Sequence, residues 1–193
     1  MSDKDSVDRS NLGRNMGLAF RYVQQIFKET AQLMIKLDNL MGKNWKPTYG
    51  NRTTKEVTSH IEKPEGWLVE ASFRIYDSKS KPNIKRGITV AYWSEDIEEP
   101  ILIAGKMDYL LNKKTGEPKN QDHWDLWNAW FAKDYEMKKI DGTVYETKLE
   151  SDDELIEEIK DHIKEAKVFA IPLAHIRSED DIEKKVYEKL MTL

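Results

Sequence analysis

The chain of 193 residues contains no cysteine. That excludes a disulfide framework, a thiolate metal site, a thiol nucleophile and an iron–sulfur cluster, and it suits a reducing compartment. No stretch approaches the ~18 consecutive apolar residues of a spanning helix. The first residues, "MSDKDSVDRSN", also lack the apolar run of a signal peptide. The expectation is therefore a cytoplasmic protein with no membrane association. Histidine is scarce: His60, His123, His162 and His175 lie far apart, with no HExxH or HxH spacing. Zinc sites usually show such spacing, so no metal or cofactor is expected, and each histidine reads as a surface or hydrogen-bonded one. GxSxG, GxGxxG and GxxxxGK[ST] are absent as well, which removes the common nucleophile elbow and phosphate loops. The formal net charge of −4 argues against a generic affinity for nucleic acid.

What is present describes an α+β chain. Residues 12–41 contain no proline, and Gly42 supplies a stop. Met16, Ala19, Val23, Ile26, Thr30, Leu33, Leu37 and Leu40 step by three and four, a heptad seam. A second row, Phe20, Phe27, Met34 and Met41, broadens the stripe beyond that of a two-stranded coil. About 30 residues at ~1.5 Å each exceed the width of a small domain, so this helix (11–42) either breaks or projects toward a partner. Three strand-like runs follow the connection 45–63: "WLVEASFRIY" (67–76), "GITVAYW" (87–93) and "PILIAGKMDYLL" (100–111). Short polar connections make them antiparallel neighbours, with one face on the long helix. In the first run Trp67, Val69, Ala71, Phe73 and Ile75 form the apolar face, and Glu70, Ser72 and Arg74 the polar one.

Further along, Asp141-Gly142 marks a hairpin. Ser151 with Glu154 caps an acidic helix running to about Glu165. "KVFAIPLAHI" (167–176) is a strand, and a last helix after Ser178 buries Ile182, Val186 and Leu190. The order is α-βββ-α-ββ-α-β-α: a flexible N-terminus (1–10), then a single α+β domain (11–193) in which the long N-terminal helix packs on a mainly antiparallel sheet and further helices fill the C-terminal half.

Three surfaces qualify as functional. The segment "DHWDLWNAWF" (122–131) places Trp124, Trp127, Trp130 and Phe131 in an arc of about 120° at helical spacing. Such a stripe is core or a contact site, because each ring buries ~150–250 Å² and tryptophan is enriched at hot spots. With Phe20, Phe27 and Met34 on the long helix, Trp124, Trp127 and Trp130 form the candidate interface. In "GKNWKPTYGNRTTK", Lys43, Lys46, Arg52 and Lys55 alternate with Trp45 and Tyr49, and no acid interrupts them. Cations for phosphates and rings for bases are the means of binding single-stranded nucleic acid. Lastly, Glu146 and Lys148, with Asp134 or Asp141 upstream, fit the acidic–Glu-x-Lys pattern of a metal-dependent nuclease, although Glu-x-Lys recurs at several other positions in so charged a chain. Glu70 and Arg74, with Lys106 and Asp108, would meet across the sheet in a polar pocket if their strands pair. The leading expectation is a non-catalytic binding or assembly protein acting through self-association or a protein partner. The alternatives are a single-stranded nucleic-acid-binding module at 43–55 and a metal-dependent hydrolase.

Overall fold

A computed structural model describes residues 9–55, 62, 68–132, 138–147, 149 and 154–193. Of the expected flexible N-terminus, 1–8 lie outside these residues, as do Trp67, Asp134, Lys148, Ser151 and His60. Helix α1 (Arg9–Met41) is one uninterrupted helix of 33 residues, about 50 Å long. Strands β1 (Trp45–Pro47), β2 (Thr54–Lys55), β3 (Ala71–Ser78), β4 (Ile84–Ala91) and β5 (Ile101–Tyr109) follow. Then come α2 (Asp125–Phe131), β6 (Tyr145–Glu146), α3 (Glu154–Ile159) and β7 (Ile163–Pro172). The C-terminus is one helical run: α4 (Glu179–Asp181), a π-helical segment Ile182–Tyr187 and α5 (Glu188–Thr192). The Ser178 hydroxyl caps its start by accepting from the Asp181 amide at 3.1 Å, and Ile182, Val186 and Leu190 are buried as their spacing predicts. Among the described residues no helix is long and apolar enough to cross a membrane.

The sheet has seven strands in the order β1-β3-β4-β5-β7-β6, with β2 also on β3, and every pairing is antiparallel. Both faces are covered, so the strands are buried through and through instead of alternating. On one face Phe73, Ile103, Met107 and Val168 pack against α2 and α3. On the other, Tyr76, Ile88, Leu102 and Phe169 pack against Leu33, Met34 and Leu37 of α1 and against the C-terminal helix. This reverses one expectation. The long helix covers the face that carries Ser72 and Arg74, while the Ala71–Phe73 face belongs to the tryptophan helix. Arg74 tolerates burial because α1 brings it a carboxylate, described below.

Of three other expectations, two are corrected. The turn at Asp141-Gly142 is present, with Gly142 at φ +90° and the Asp141 carboxylate accepting from the Thr143 amide and hydroxyl. Beyond it β6 pairs with β7, and residues 133–137 before the turn lie outside the described residues. The acidic helix ends at Ile159, and β7 begins at Ile163. Ile163, Ala166, Val168 and Ala170 lie buried against α2 and α3, a role that a helix through 165 would deny the first of them. The polar pocket across the sheet does not form: Arg74 lies opposite Ile88, Lys106 opposite Arg86, and Asp108 accepts from Asn83 Nδ2 at 2.7 Å.

Candidate functional site

α1 carries a single apolar stripe along its whole length, but the sheet lies under only part of it. Thr30, Leu33, Met34, Leu37 and Met41 are buried; Val23, Ile26 and Phe27 are half-buried, and Phe27 meets Tyr92 edge-on with ring centres 5.1 Å apart. Ahead of them the helix runs off the edge of the sheet. Leu12 is 46 % exposed, Met16 55 %, Phe20 62 % and Tyr22 70 %, with Leu18 close behind. Residues 9–22 thus form an arm about 20 Å long. Leu12, Arg14, Met16, Leu18, Ala19 and Arg21 favour the helix, whereas Asn11, Gly13, Asn15 and Gly17 do not. The charged residues between 9 and 28 are Arg9, Arg14, Arg21 and Lys28, all basic.

The packed half of α1 is held at a fixed angle by a polar clamp. Arg74 donates to both oxygens of Asp38, Nε to Oδ1 at 2.9 Å and Nη2 to Oδ2 at 2.5 Å. Its Nη1 donates to the carbonyls of Gly50 and Arg52 at 2.6 and 3.2 Å, and the Tyr76 hydroxyl donates to Asp38 at 2.8 Å. One guanidinium therefore joins helix, sheet and the 48–53 turn. Arg74→Met strands these acceptors. Because the Asp38 side chain keeps some water contact (29 % exposed), the expected loss is about 2 kcal/mol in a denaturant titration. A loss below about 0.5 kcal/mol would show that the clamp contributes nothing measurable.

The basic segment is not a free loop. β1 and β2 attach it to the outer edge of β3. Lys43, Lys46 and Arg52 are exposed, and Lys55 sits in β2. The rings are less available. Trp45 is half-buried with the Arg86 guanidinium 4.8 Å from its ring centre. Tyr49 is half-buried too; burial, then the carboxylates of Asp122, Asp125 and Asp77, raise its phenol above the ordinary value. Negative charge acting on that ring disfavours the phosphates that a stacked base would bring.

The tryptophan segment is a helix, as its spacing predicts, and it is buried all round. Trp127 and Trp130 lie in the core, the latter 1 % exposed, and Trp124 packs between Phe73 and Trp127. Met34 is also core. The area of Met34, Trp127 and Trp130 is already taken within the chain, so of the candidate interface residues Phe20 is the one fully on the surface. The opposite side of α2, where helical spacing places Asp125, Asn128 and Ala129, holds a buried polar network that no local pattern shows. Asp125 accepts from the Tyr109 hydroxyl at 2.6 Å and from the Asp122 amide at 2.9 Å, and lies 2.8 Å from His162 Nε2. Asn128 donates to Glu158 at 2.8 Å. Asp125, Tyr109 and His162 are all buried, which gives a substrate no approach.

Glu146 is exposed on β6, 4.0 Å from Lys167, and Asp141 is engaged by Thr143. Among the described residues no group of three histidine or acidic side chains is placed to hold a metal ion. Comparison with protein-family models, curated proteins and solved structures gives no match.

Proposed function

We propose that the protein is a non-catalytic assembly protein of the cytoplasm that self-associates through the arm of α1. One observation carries this reading: a continuous apolar stripe is core at residues 30–41 and bare at 12–22. A helix with no use for its apolar face beyond the sheet would be expected to turn polar there, and this one keeps Leu12, Met16 and Phe20 in register with the buried residues. Covering side chains that are half-exposed stabilises a contact by about 1 kcal/mol each. The absence of cysteine suits the reducing compartment named.

The test is sedimentation equilibrium of the full-length chain beside Met16→Ser/Phe20→Ser. The wild type is expected to associate, and the double variant to dissociate at least about tenfold more readily. Its thermal unfolding as a monomer should be unchanged, because neither side chain touches the core. A wild type that stays monomeric at the highest attainable concentration, or a variant that associates like the wild type, would overturn the proposal.

A further inference from the structure

Beside α1 runs a groove of about 1020 Å³, walled by residues 26–39 of α1 on one side and by 173–182 on the other, with Glu99 and Pro100 between them. Its lining mixes apolar side chains such as Ile26, Leu33, Ile176 and Ile182 with acids. We infer that this groove receives the α1 arm of a second copy, so that two copies exchange arms about a two-fold axis. The inference rests on the self-association proposed above and names the surface that the arm meets.

Length, direction, charge and size each favour this occupant. The arm (9–22) and the groove wall (26–39) span equal lengths of one straight helix. A two-fold axis passing beside α1 on its groove side, level with residue 24, therefore lays each arm antiparallel along the other copy's wall, residue 9 beside 39 and 22 beside 26. The arm cannot reach the groove of its own chain, because α1 is unbroken. The groove side of α1, with Glu29, Leu33 and Lys36, continues at helical spacing into Leu18 and Tyr22, both exposed. In a two-fold pair those two side chains turn toward the partner's wall. With the axis along the sheet normal, the Leu12–Met16 stripe keeps facing inward, now over the second copy.

The charges oppose each other. Arg14 and Arg21 stand exposed on the arm, Glu29 and Glu99 stand exposed in the groove, and Glu95 and Glu98 are exposed on the loop that leads to Glu99. The groove's own cations are engaged: Lys36 pairs with Glu179 at 2.7 Å, and Arg177 Nε donates to the Ala174 carbonyl at 3.2 Å. A 14-residue helix some 10 Å across, sunk to half its depth, displaces roughly 800 Å³, which the groove accommodates.

Two full-length variants test the exchange by sedimentation, alone and mixed: Arg14→Glu/Arg21→Glu on the arm, and Glu95→Lys/Glu98→Lys/Glu99→Lys on the loop that brings Glu99 to the groove. All five side chains are exposed, so both variants fold. Each alone is expected to associate at least about tenfold more weakly than the wild type, whose own association falls with rising salt. An equimolar mixture should regain association as heterodimers, because reversed arm then meets reversed groove while the remaining wild-type arm meets the remaining wild-type groove. Groove variants that associate like the wild type, or a mixture with no heterodimer, would overturn the exchange. If Met16→Ser/Phe20→Ser dissociates in that case, assembly through the arm still stands. Association that survives in Met16→Ser/Phe20→Ser removes both.

Discussion

Gly105→Ala is expected to destabilise the protein by about 3 kcal/mol, although it adds a single methyl group to a strand. Gly105 lies in the middle of β5, between Gly87 of β4 and Val168 of β7. A Cβ built there falls 2.6 Å from the Lys167 carbonyl oxygen, 2.7 Å from Leu126 Cδ1 and 2.9 Å from Val168 Cγ1. Two of these neighbours are side chains that can turn. The first is backbone in the adjacent strand, locked by the β5–β7 ladder, and it decides the outcome. Leu126→Ala would clear the contact with α2 and leave the carbonyl where it is, so the double variant is expected to gain nothing over the sum of the singles. Gly87→Ala is the control. Its closest neighbours, at 3.0 to 3.3 Å, ask for a shift of a few tenths of an ångström, and the expected loss is about 1 kcal/mol. Urea titration of these four variants beside the wild type reads the result. Rescue of Gly105→Ala by Leu126→Ala would mean that the clash with α2, not the one with the ladder, sets the cost.

The sequence is most legible where its apolar pattern is strongly periodic. The long helix, the three central strands, the tryptophan helix and the capped C-terminal helix are all strongly periodic, and they form near the positions their patterns predict. What periodicity could not reveal was that the sheet is covered twice. Ser72 and Arg74 read as a solvent face because one polar face is the usual sign of a half-buried strand. Arg74 is instead buried under α1 by a carboxylate 36 residues away, and no local pattern shows that pairing. β1 and β2 were missed for the opposite reason. They are two or three residues long and take their existence from the edge of β3.

The interaction surface was half legible. A 33-residue helix had to project or break, and the exposed arm follows from its length alone. The tryptophans drew attention because of their size, yet their burial depended on α3 and β7 closing over them. The groove drew none. Its walls come from residues some 140 positions apart, joined by Lys36 and Glu179, and of its acids Glu99 belongs to a loop that the pattern treats as a connection.

Asp125→Ala should cost about 3–5 kcal/mol, the larger of the two losses, and pH resolves its cause. The substitution leaves the Tyr109 hydroxyl and His162 Nε2 buried without their acceptor. Asp125→Asn keeps the shape and one acceptor, and is expected to lose about half as much. Loss of less than about 1 kcal/mol in Asp125→Ala would show that water or a rearranged partner replaces the carboxylate. The same network raises the Tyr109 phenol well above its ordinary value, through burial first and then the Asp125 charge and hydrogen bond. Burial, followed by Asp38, raises Tyr76 likewise. In the unfolded chain both phenols ionise near pH ~10, while in the folded protein they keep their protons. Above that pH the folded state binds more protons than the unfolded one, so stability falls by about 1.4 kcal/mol per pH unit for each tyrosine, and below it the effect vanishes. Tyr109→Phe is therefore expected to lower stability at neutral pH by about 1–2 kcal/mol and to flatten the decline between pH 10 and 12 by about 1.4 kcal/mol per unit. A Tyr109→Phe protein with the wild-type slope would place the alkaline sensitivity elsewhere and remove the charge of Asp125 from its cause.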